Sequence, residues 1–371
     1  MKENILILGG YGNTGRLIAE YLLPECQANL LIAGRDAARA EALAHLLKEK
    51  YPGRVSALKL DAGDASAMHD ALEGVQLLVA ASSTSQYVEE TARACLDQAV
   101  DYLDVQYSTR KIKVLQSLRS QIEHSGRTFI TDGGFHPGLP AVLVRSAALK
   151  FERLLKANVG SVIKIDWKPL VLSQATIDEL VDLFSDYDSR FFKEGGWKRA
   201  RMDIVMDYVR MDFGAPFGSQ ICMPMTLEEL RGLPVMYPDL REMGFFVGGF
   251  NPVTDWVVMP LMMVALKISP SLKQSMGRLM VWSLKRFTKP PYGTRLKLEA
   301  EGEKDGKRQS LDLVLSHDDG YVFTAVPVVA TILQWLDGSI RKRGLFTQGE
   351  LAQPERMLSD MQRMGIAVIQ G

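Results

Sequence analysis

The sequence predicts an α/β fold, in which a doubly wound parallel sheet is followed by a second region with a mainly antiparallel sheet. Three observations predict it. Short apolar runs alternate six times with segments of helical spacing, and the first apolar run ends in a cluster of glycines. After about residue 135 this alternation stops, and Gly, Pro, Trp and Met become frequent. Strands that alternate with helices are typical of a parallel sheet covered by helices on both faces.

Six apolar runs of the first region are predicted as strands. Such runs are typical of strands that are buried on both faces of a sheet. The predicted strands are residues 4–8, 30–33, 55–60, 77–81, 102–105 and 128–131. The segments between them are predicted as helices over residues 13–23, 37–50, 64–72, 85–98 and 109–125. In the first of these, Leu17, Ile18 and Leu22 fall on one side, as in an amphipathic helix.

The second region combines both kinds of pattern. Residues 176–192 show helical spacing of apolar side chains, and so do residues 272–287. Two alternating segments, residues 295–300 and 309–315, flank the turn Lys304-Asp305-Gly306, which is typical of a hairpin. This mixture predicts an α+β region with a mainly antiparallel sheet.

Composition argues against several classes of protein. The chain has 371 residues, enough for about two domains, and its 44 Lys and Arg balance its 44 Asp and Glu. A chain without a basic excess is not expected to coat nucleic acid. Three cysteines without a Cys-x-x-Cys pair, and no H-x-x-H motif, indicate neither a disulfide framework nor a metal site. We therefore expect a cytoplasmic protein with no metal and no nucleic-acid partner.

The glycine cluster forms a nucleotide-binding motif. Gly10, Gly12 and Gly15 make a G-x-G-x-x-G directly after the first strand and at the start of the first helix, the context expected in a Rossmann domain. Gly10 makes the tight turn, Gly12 leaves room for the pyrophosphate, and Gly15 lets the helix pack on the strand. The residues between them are Tyr11, Asn13 and Thr14. Free N–H groups at the helix N-terminus favour phosphate, so we predict an NAD(P) site here.

The end of the second strand distinguishes NADP from NAD. Gly34, Arg35 and Asp36 stand about 20 residues after the last glycine of the motif, where NAD-binding chains usually carry an acidic residue. The guanidinium of Arg35 can pair with a 2′-phosphate, and we therefore predict NADP. The alternative is NAD, with Asp36 bound to the ribose hydroxyls and Arg35 in solvent.

Further cofactor contacts are expected beyond the next strands, because ligands bind outside the carboxyl ends of the strands in such sheets. The candidates are Asp61 and Ala62 beside the adenine, and Ala81, Ser82 and Ser83 beside the pyrophosphate or the nicotinamide ribose. Asp36 and Asp61 also have a purely local interpretation, since either can cap the helix that follows it.

Segments after the fifth and sixth strands carry the candidates for proton transfer. His136 has an ordinary pKa suited to exchanging a proton with substrate, and Tyr107 is the second candidate. The alternative role for His136 is to order its loop through backbone hydrogen bonds. Gly133, in the same loop, is a cofactor-binding candidate. Tyr107 and Lys111 also match the Y-x-x-x-K pair of short-chain dehydrogenases, which arises about once by chance in such a chain.

A basic and apolar stretch spans residues 256–297. Its longest apolar run, residues 256–268, is interrupted by Pro260 and Lys267 and is shorter than the ~20 residues of a spanning helix. The basic residues that follow are Lys273, Arg278, Lys285, Arg286, Lys289 and Arg295. One interpretation is contact with a membrane surface or a lipid substrate. The other is an amphipathic helix that covers the second domain or forms a homodimer interface.

Taken together, these motifs resemble the saccharopine dehydrogenase-like family, which includes saccharopine reductase and lysine 6-dehydrogenase. The matching segments are residues 9–15, 31–36, 133–140, 324–327, 336–338 and 344–346. The resemblance covers about residues 1–150 and 320–371. His136 stands where family members often have Asp.

The resemblance implies a Rossmann domain over residues 1–135, a substrate and oligomerisation domain inserted over 136–320, and a segment over 321–371 that returns to the Rossmann domain. It implies an NADP-dependent oxidoreductase that transfers a hydride at the C–N bond of an amino-acid-like or amine substrate. Two alternatives stay open. One is an enoyl reductase acting on a lipid-like substrate, and the other is an NADP-binding sensor or interaction protein without turnover.

Overall fold

The six apolar runs of the first 131 residues form parallel strands, and helices lie between them. A computed structural model describes residues 2–172, 174–185, 187–201 and 207–371. The strands are β1 (Asn4–Leu8), β2 (Asn29–Gly34), β3 (Val55–Lys59), β4 (Leu77–Ala80), β5 (Asp101–Asp104) and β6 (Thr128–Thr131). The helices are α1 (Asn13–Glu25), α2 (Ala37–Lys50), α3 (Ala65–Ala71), α4 (Val88–Asp97), α5 (Thr109–Ser117) and α6 (Arg119–Ser125).

The rest of the chain adds ten strands and eight helices within the described residues. The strands are β7 (Arg153–Lys164), β8 (Arg190–Lys193), β9 (Gly196–Arg199), β10 (Val209–Asp212), β11 (Ser219–Met225), β12 (Glu242–Gly248), β13 (Gly293–Lys304), β14 (Lys307–His317), β15 (Gly344–Thr347) and β16 (Ala367–Gln370). The helices are α7 (Pro140–Ala148), α8 (Gln174–Ser185), α9 (Leu233–Met236), α10 (Met259–Ile268), α11 (Lys273–Phe287), α12 (Gly320–Leu336), α13 (Gln348–Leu351) and α14 (Pro354–Arg363).

The chain divides into two units. The first comprises the residues up to Leu139 together with Tyr321–Met364, and the second comprises Pro140–Gly320 together with Gly365–Gly371. The last seven residues group with the second unit, whereas the predicted boundaries place them with the first. The reason is that β16 pairs with β14, with Val368 opposite Leu315.

The first unit contains a seven-stranded parallel sheet, which confirms the predicted doubly wound fold. Its strand order is β15-β6-β5-β4-β1-β2-β3. Ile5, Leu6 and Ile7 of β1 are fully buried, as expected for a central strand covered on both faces. The order of the strands reverses beside β1, so the carboxyl ends of β1 and β4 flank the crevice where such sheets bind nucleotides.

The second unit contains a mainly antiparallel sheet, also as predicted. Its order is β10-β11-β12-β7-β13-β14-β16, with β8 paired to β12 and β9 paired to β8. Among its described strand pairs, only β12 and β7 run parallel. The predicted hairpin is β13–β14. Asp305 and Gly306 both adopt positive φ between the paired residues Lys304 and Lys307, as a two-residue turn of type I′ requires.

The predicted helix over residues 176–192 is wrong at its C-terminal end. α8 ends at Ser185, and residue 186 lies outside the described residues. Arg190–Lys193 forms β8, in which the successive residues Phe191 and Phe192 are both buried. Burial of both faces of this strand outweighs the local helical spacing, because apolar periodicity over a short run does not distinguish a helix from a strand buried on both faces.

Candidate functional site

The loop from β1 to α1 is held by hydrogen bonds to the end of β2. The N–H groups of Gly9 and Gly10 both donate to the carbonyl of Ala33, over 2.8 and 3.1 Å. A Cβ added at Gly15 would collide with the carbonyl oxygen of Gly9, so glycine is needed where α1 starts this close to the strand. A Cβ added at Gly12 would meet Gly9 O at 3.1 Å and nothing else within 4 Å beyond its chain neighbours. The β1–α1 loop therefore packs closely against the strands, and beside Gly12 it leaves space for a ligand.

The N-terminus of α1 is free to bind an anion. Gly12 occupies its N-cap position, and no side chain caps the helix there. Asn13 and Thr14 are its first two residues, so their N–H groups have no partner inside the helix. A helix start without a cap, beside an open glycine loop, suits the pyrophosphate of a dinucleotide.

Tyr11 organises the end of β2. Its ring packs on Gly34, where an added Cβ would come within 2.8 Å of the ring carbon Cζ. Its hydroxyl accepts a hydrogen bond from the backbone N–H of Asp36 over 2.9 Å. The guanidinium carbon of Arg39 lies 4.6 Å from the centre of the ring, in cation–π contact. Gly34 is thus required for the packing of Tyr11.

Arg35 and Arg39 lie on either side of Asp36 in the sequence, and the carboxylate of Asp36 already accepts a hydrogen bond. Asp36 is the N-cap of α2, and its Oδ1 accepts from the N–H of Arg39 over 3.1 Å. Arg35 and Arg39 are exposed, and within the described residues neither forms an ion pair. The local interpretation of Asp36 therefore holds, and two cations remain available for a 2′-phosphate. Arg39 was missed in the sequence because its position, one helical turn into α2, belongs to no motif.

Asp61 and Ala62, after β3, have local roles. Asp61 Oδ1 accepts from the N–H of Gly63 over 3.0 Å, which stabilises a turn. The helix cap belongs instead to Asp64, whose carboxylate accepts from the N–H of Ala67 over 3.0 Å. Ala62 is buried within the apolar core of the first unit. The interpretation of Asp61 as the cap of α3 is therefore wrong, since the chain makes one more turn before the helix begins.

The segment after β4 contacts the glycine loop. Gly9 has φ +78°, and a Cβ added there would come within 2.6 Å of the Cβ of Ser82. The carboxamide nitrogen of Gln106 donates to the carbonyl of Ser82 over 2.7 Å and to the hydroxyl of Thr84 over 3.0 Å. Ala81 donates its N–H to Leu8, and Ser83 follows Ser82 half-buried. Gln106 thus ties the segment after β5 to the segment after β4.

A buried ion cluster holds the ends of β5 and β6 together. The ammonium of Lys111 lies 2.7 Å from a carboxylate oxygen of Asp104 and 2.7 Å from one of Asp132. It also donates to the carbonyl of Gln106. Burial alone would lower the pKa of Lys111, but the charges and hydrogen bonds of Asp104 and Asp132 outweigh it and raise that pKa above its usual range. Lys111 is therefore a fixed cation that holds the carboxylates of Asp104 and Asp132.

Asp132 begins the loop that carries His136. Gly133 donates its N–H to the carbonyl of Asp104 over 2.8 Å. His136 is half-buried, its ring centre 4.1 Å from that of Phe135, and loss of solvent lowers its pKa to about 3. Its imidazole is therefore neutral at neutral pH. Tyr107, the second proton-transfer candidate, lies half-buried after β5, on the same edge of the sheet.

The C-terminal part of the first unit supports this loop. β15 pairs in parallel with β6 and leads into Gln348, which is fully buried. The carboxamide of Gln348 donates to the carbonyl of Gly134 over 2.9 Å and accepts from its N–H over 3.2 Å. Gln348 is a site residue that no sequence motif indicated, and the Y-x-x-x-K match to Lys111 did not indicate its bonds to Asp104 and Asp132, because both roles depend on contacts between separate segments.

The second unit contains a cavity of about 380 Å³ within the described residues, near the lower end of the size range of small-molecule sites. Charged groups of both signs line it, from Lys164, Arg210 and Asp255. Desolvation raises the pKa of Asp255 to about 6. Aromatic surface comes from Phe250 and Trp256. This lining suits a small molecule that carries charge.

The residues at the carboxyl edge of the parallel sheet fit NADP. The uncapped helix start accommodates a pyrophosphate, and the pair Arg35 and Arg39 accommodates a 2′-phosphate. The structure brings the predicted residues of β1, β2 and β4 to adjoining strands, and it places Gly133, His136 and Tyr107 after β6 and β5 along the same edge. In the part of the chain that the structure describes, no helix is long and apolar enough to cross a membrane.

Comparison with known proteins identifies a related domain and a related fold. Residues 5–130 match the family model described as the saccharopine dehydrogenase NADP binding domain. The structure of apo saccharopine dehydrogenase (L-Glu forming) from Saccharomyces cerevisiae is similar over 100% of this chain and 99% of that chain, with a TM-score of 0.71 and 13% sequence identity. DAP dehydrogenase of C. glutamicum shows a looser similarity, with a TM-score of 0.47 and 14% identity over 98% of this chain and 99% of that one. No curated protein matches the sequence.

Proposed function

We propose that the chain is an NADP-dependent oxidoreductase, because residues 5–130 match the family model of the saccharopine dehydrogenase NADP binding domain. The observation that carries the proposal is the combination of an uncapped glycine-loop helix with two exposed guanidinium groups after β2 that form no ion pair within the described residues. When bound, NADP supplies or accepts the hydride. The protein's own part is to hold the dinucleotide and to exchange a proton with the substrate.

The proposed substrate is an amino-acid-like molecule or amine, with hydride transfer at a C–N bond. Two facts support this class. The yeast protein of the same fold is a saccharopine dehydrogenase that forms L-Glu. The cavity of the second unit carries Lys164 and Arg210 beside Asp255, and charges of both signs suit a zwitterion. An acyl chain, which the enoyl-reductase alternative requires, would offer no charged or polar partner to Lys164, Arg210 and Asp255.

His136 is the proposed proton-exchanging group, with Tyr107 as the second. A neutral imidazole accepts a proton at one ring nitrogen and donates a hydrogen bond from the other. Because desolvation lowers the pKa of His136 to about 3, it enters the reaction as the neutral imidazole. This assigns His136 to proton acceptance during substrate oxidation, and the same imidazole returns that proton during reduction; in the alternative, Tyr107 carries the proton in both directions.

The experiment is a spectrophotometric survey of turnover. The purified chain is mixed with NADP⁺ and a panel of L-amino acids, D-amino acids and N-substituted amino acids, and formation of NADPH is followed. A second panel pairs NADPH with enoyl thioesters. Turnover of an amino acid supports the proposal. Turnover of enoyl thioesters alone would replace it with the lipid alternative, and tight NADPH binding without turnover of either panel would replace it with the sensor alternative.

The charged cavity supplies a second test of the substrate class. Arg210→Ala removes one cation from the cavity and is expected to raise KM for the amino acid at least tenfold, with a smaller effect on kcat. Arg199→Ala, at an exposed position of β9, is the control and should leave KM unchanged. Equal KM values in both variants would contradict a role of this cavity in substrate binding.

A further inference from the structure

An exposed apolar surface covers α10 and α11 in the second unit. Fourteen large apolar side chains are exposed in the described residues, and seven of them lie between residues 256 and 282. On α10 and the turn before it they are Val257 (59% exposed), Leu261 (51%), Val264 (57%) and Ile268 (77%). Spacings of four, three and four place these residues on one helical face. Trp256 precedes this face, and Trp282 is exposed on α11.

The opposite face of the same helices is already used by the core. Val258, Met259 and Met262 pack with Met280 and Leu284 of α11 in one buried cluster. The exposed face therefore does not contribute to this buried cluster. Contiguous apolar surface of this kind, bordered by charge, is typical of an interaction site.

The charge around this surface has one sign. Residues 256–298 contain no Asp or Glu, although the whole chain is neutral. Residues 256–289 contain six Lys and Arg, four of them exposed: Lys267, Arg278, Arg286 and Lys289. None of these four forms an ion pair within the described residues. On α11, Arg278 and Arg286 lie one helical turn before and after Trp282, so cations flank the exposed aromatic ring.

The positive charge around this surface argues against a second copy of the chain as the partner that binds there. A two-fold symmetric contact would place the same surface on both partners, and cations would then face cations. A partner with an anionic surface and an apolar interior would bind both the cations and the exposed apolar side chains. Lys and Arg bind its headgroups, while Trp, Leu, Val and Ile enter the boundary with the acyl chains.

We propose that the exposed apolar surface of α10 and α11 docks the protein on an anionic lipid bilayer. The ten residues of α10 are too short to cross a bilayer, so the helix lies in the plane of the interface. This interaction goes beyond the proposed oxidoreductase activity and does not depend on it. It places the protein at a membrane surface.

The experiment measures binding of the full chain to vesicles. Vesicles of phosphatidylcholine with phosphatidylglycerol are compared with phosphatidylcholine alone in a co-sedimentation assay. We expect binding at least tenfold tighter with phosphatidylglycerol, and weaker binding as salt is raised. The double variant Leu261→Glu/Val264→Glu should lower binding at least tenfold, and Arg278→Glu/Arg286→Glu should remove the preference for phosphatidylglycerol.

Control variants carry the same kinds of substitution outside the exposed apolar surface, and they show whether added negative charge alone lowers vesicle binding. Leu149 and Val235 are exposed apolar residues of the same unit outside this surface, so Leu149→Glu/Val235→Glu should bind vesicles as the unchanged protein does. Lys304→Glu/Lys307→Glu alters the same number of charges at the hairpin turn. Near-UV circular dichroism checks that every variant is folded. Absence of vesicle binding, equal loss in surface and control variants, or dimers in sedimentation that the Leu261→Glu/Val264→Glu variant converts to monomers would each overturn the proposal.

Discussion

At the level of single residues, we propose that Arg35 and Arg39 favour NADP over NAD. A hydrogen bond to a charged group contributes roughly 1.5–3 kcal/mol, so Arg35→Ala should weaken NADPH binding about tenfold or more. NADH lacks the 2′-phosphate, and its affinity should stay unchanged. Fluorescence titration of both reduced cofactors measures this. Arg39→Ala should act in the same direction, because its guanidinium flanks the same strand end.

Arg93→Ala is the control for this prediction. Arg93 is an exposed arginine of α4 that pairs with Glu89, away from the glycine loop. Its removal should leave both affinities unchanged. If Arg35→Ala bound NADPH as tightly as Arg93→Ala does, the assignment of the 2′-phosphate to Arg35 would be wrong.

His136 should make stability depend on pH in acid. The imidazole has a pKa near 6.5 in the unfolded chain and about 3 in the folded one, so between these values the unfolded state binds the extra proton. Its contribution to stability is therefore present above pH 6.5 and is lost as the pH falls toward 3. Between pH 6 and 4 the unchanged protein should lose up to about 1.4 kcal/mol per pH unit more than His136→Gln does.

Urea unfolding at several pH values measures this difference. His45→Gln is the control, because His45 is exposed on α2 and its substitution should leave the pH dependence as it was. Parallel curves for the unchanged protein and His136→Gln would show that the folded imidazole is not desolvated.

At the scale of elements, the Lys111 cluster joins α5 to the ends of β5 and β6. Lys111→Met keeps much of the side-chain volume but leaves Asp104 and Asp132 buried without a cation. Removing one partner of a buried ion pair costs roughly 3–5 kcal/mol, and we expect a loss of that size in the free energy of unfolding. The raised pKa of Lys111 means that this contribution persists below its unfolded pKa and is lost only as the pH rises through the higher folded value.

Lys113→Met provides the comparison on the same helix. Lys113 is exposed two residues further along α5, and its substitution should change the free energy of unfolding by less than about 0.5 kcal/mol. Urea unfolding measures the free energy of unfolding of both variants. A similar small loss in each would mean that the cluster does not stabilise the strand ends.

At the scale of the whole molecule, Gln348 joins the two chain segments that make up the first unit. Its carboxamide makes both hydrogen bonds of Gly134, a residue 214 positions earlier. Gln348→Leu would leave the N–H and the carbonyl of Gly134 buried without partners, at about 1–3 kcal/mol each. We expect lower stability together with a lower kcat, because Gly134 lies in the loop that carries His136.

Gln362→Leu is the corresponding control on the exposed side of α14 and should change neither quantity. Thermal unfolding and steady-state kinetics measure the two effects. A Gln348→Leu variant with unchanged kcat would show that the C-terminal segment stabilises the fold without positioning the loop.

Much of the first unit could be predicted because its determinants are local. Each buried strand is a continuous apolar run, and each helix has its own periodicity, so the six strands through Thr131 were found close to their observed bounds. The glycine motif is equally local, since its turn is made within seven residues. The second unit was harder to predict. Arg190–Lys193 has helical spacing but becomes a strand because β9 and β12 pair with it.

The sequence by itself therefore determined the doubly wound sheet and the dinucleotide loop, and it supplied the proposal that Arg35 binds the 2′-phosphate of NADP. These depend on residues that are neighbours along the chain. Only the tertiary structure decided that Asp36 is engaged as a helix cap, that Lys111 is a buried cation between two aspartates, and that Gln348 supports Gly134. It also showed which apolar residues of the 256–282 segment enter the core and which remain exposed. These properties arise from contacts and from loss of solvent, and neither is set until distant segments pack together.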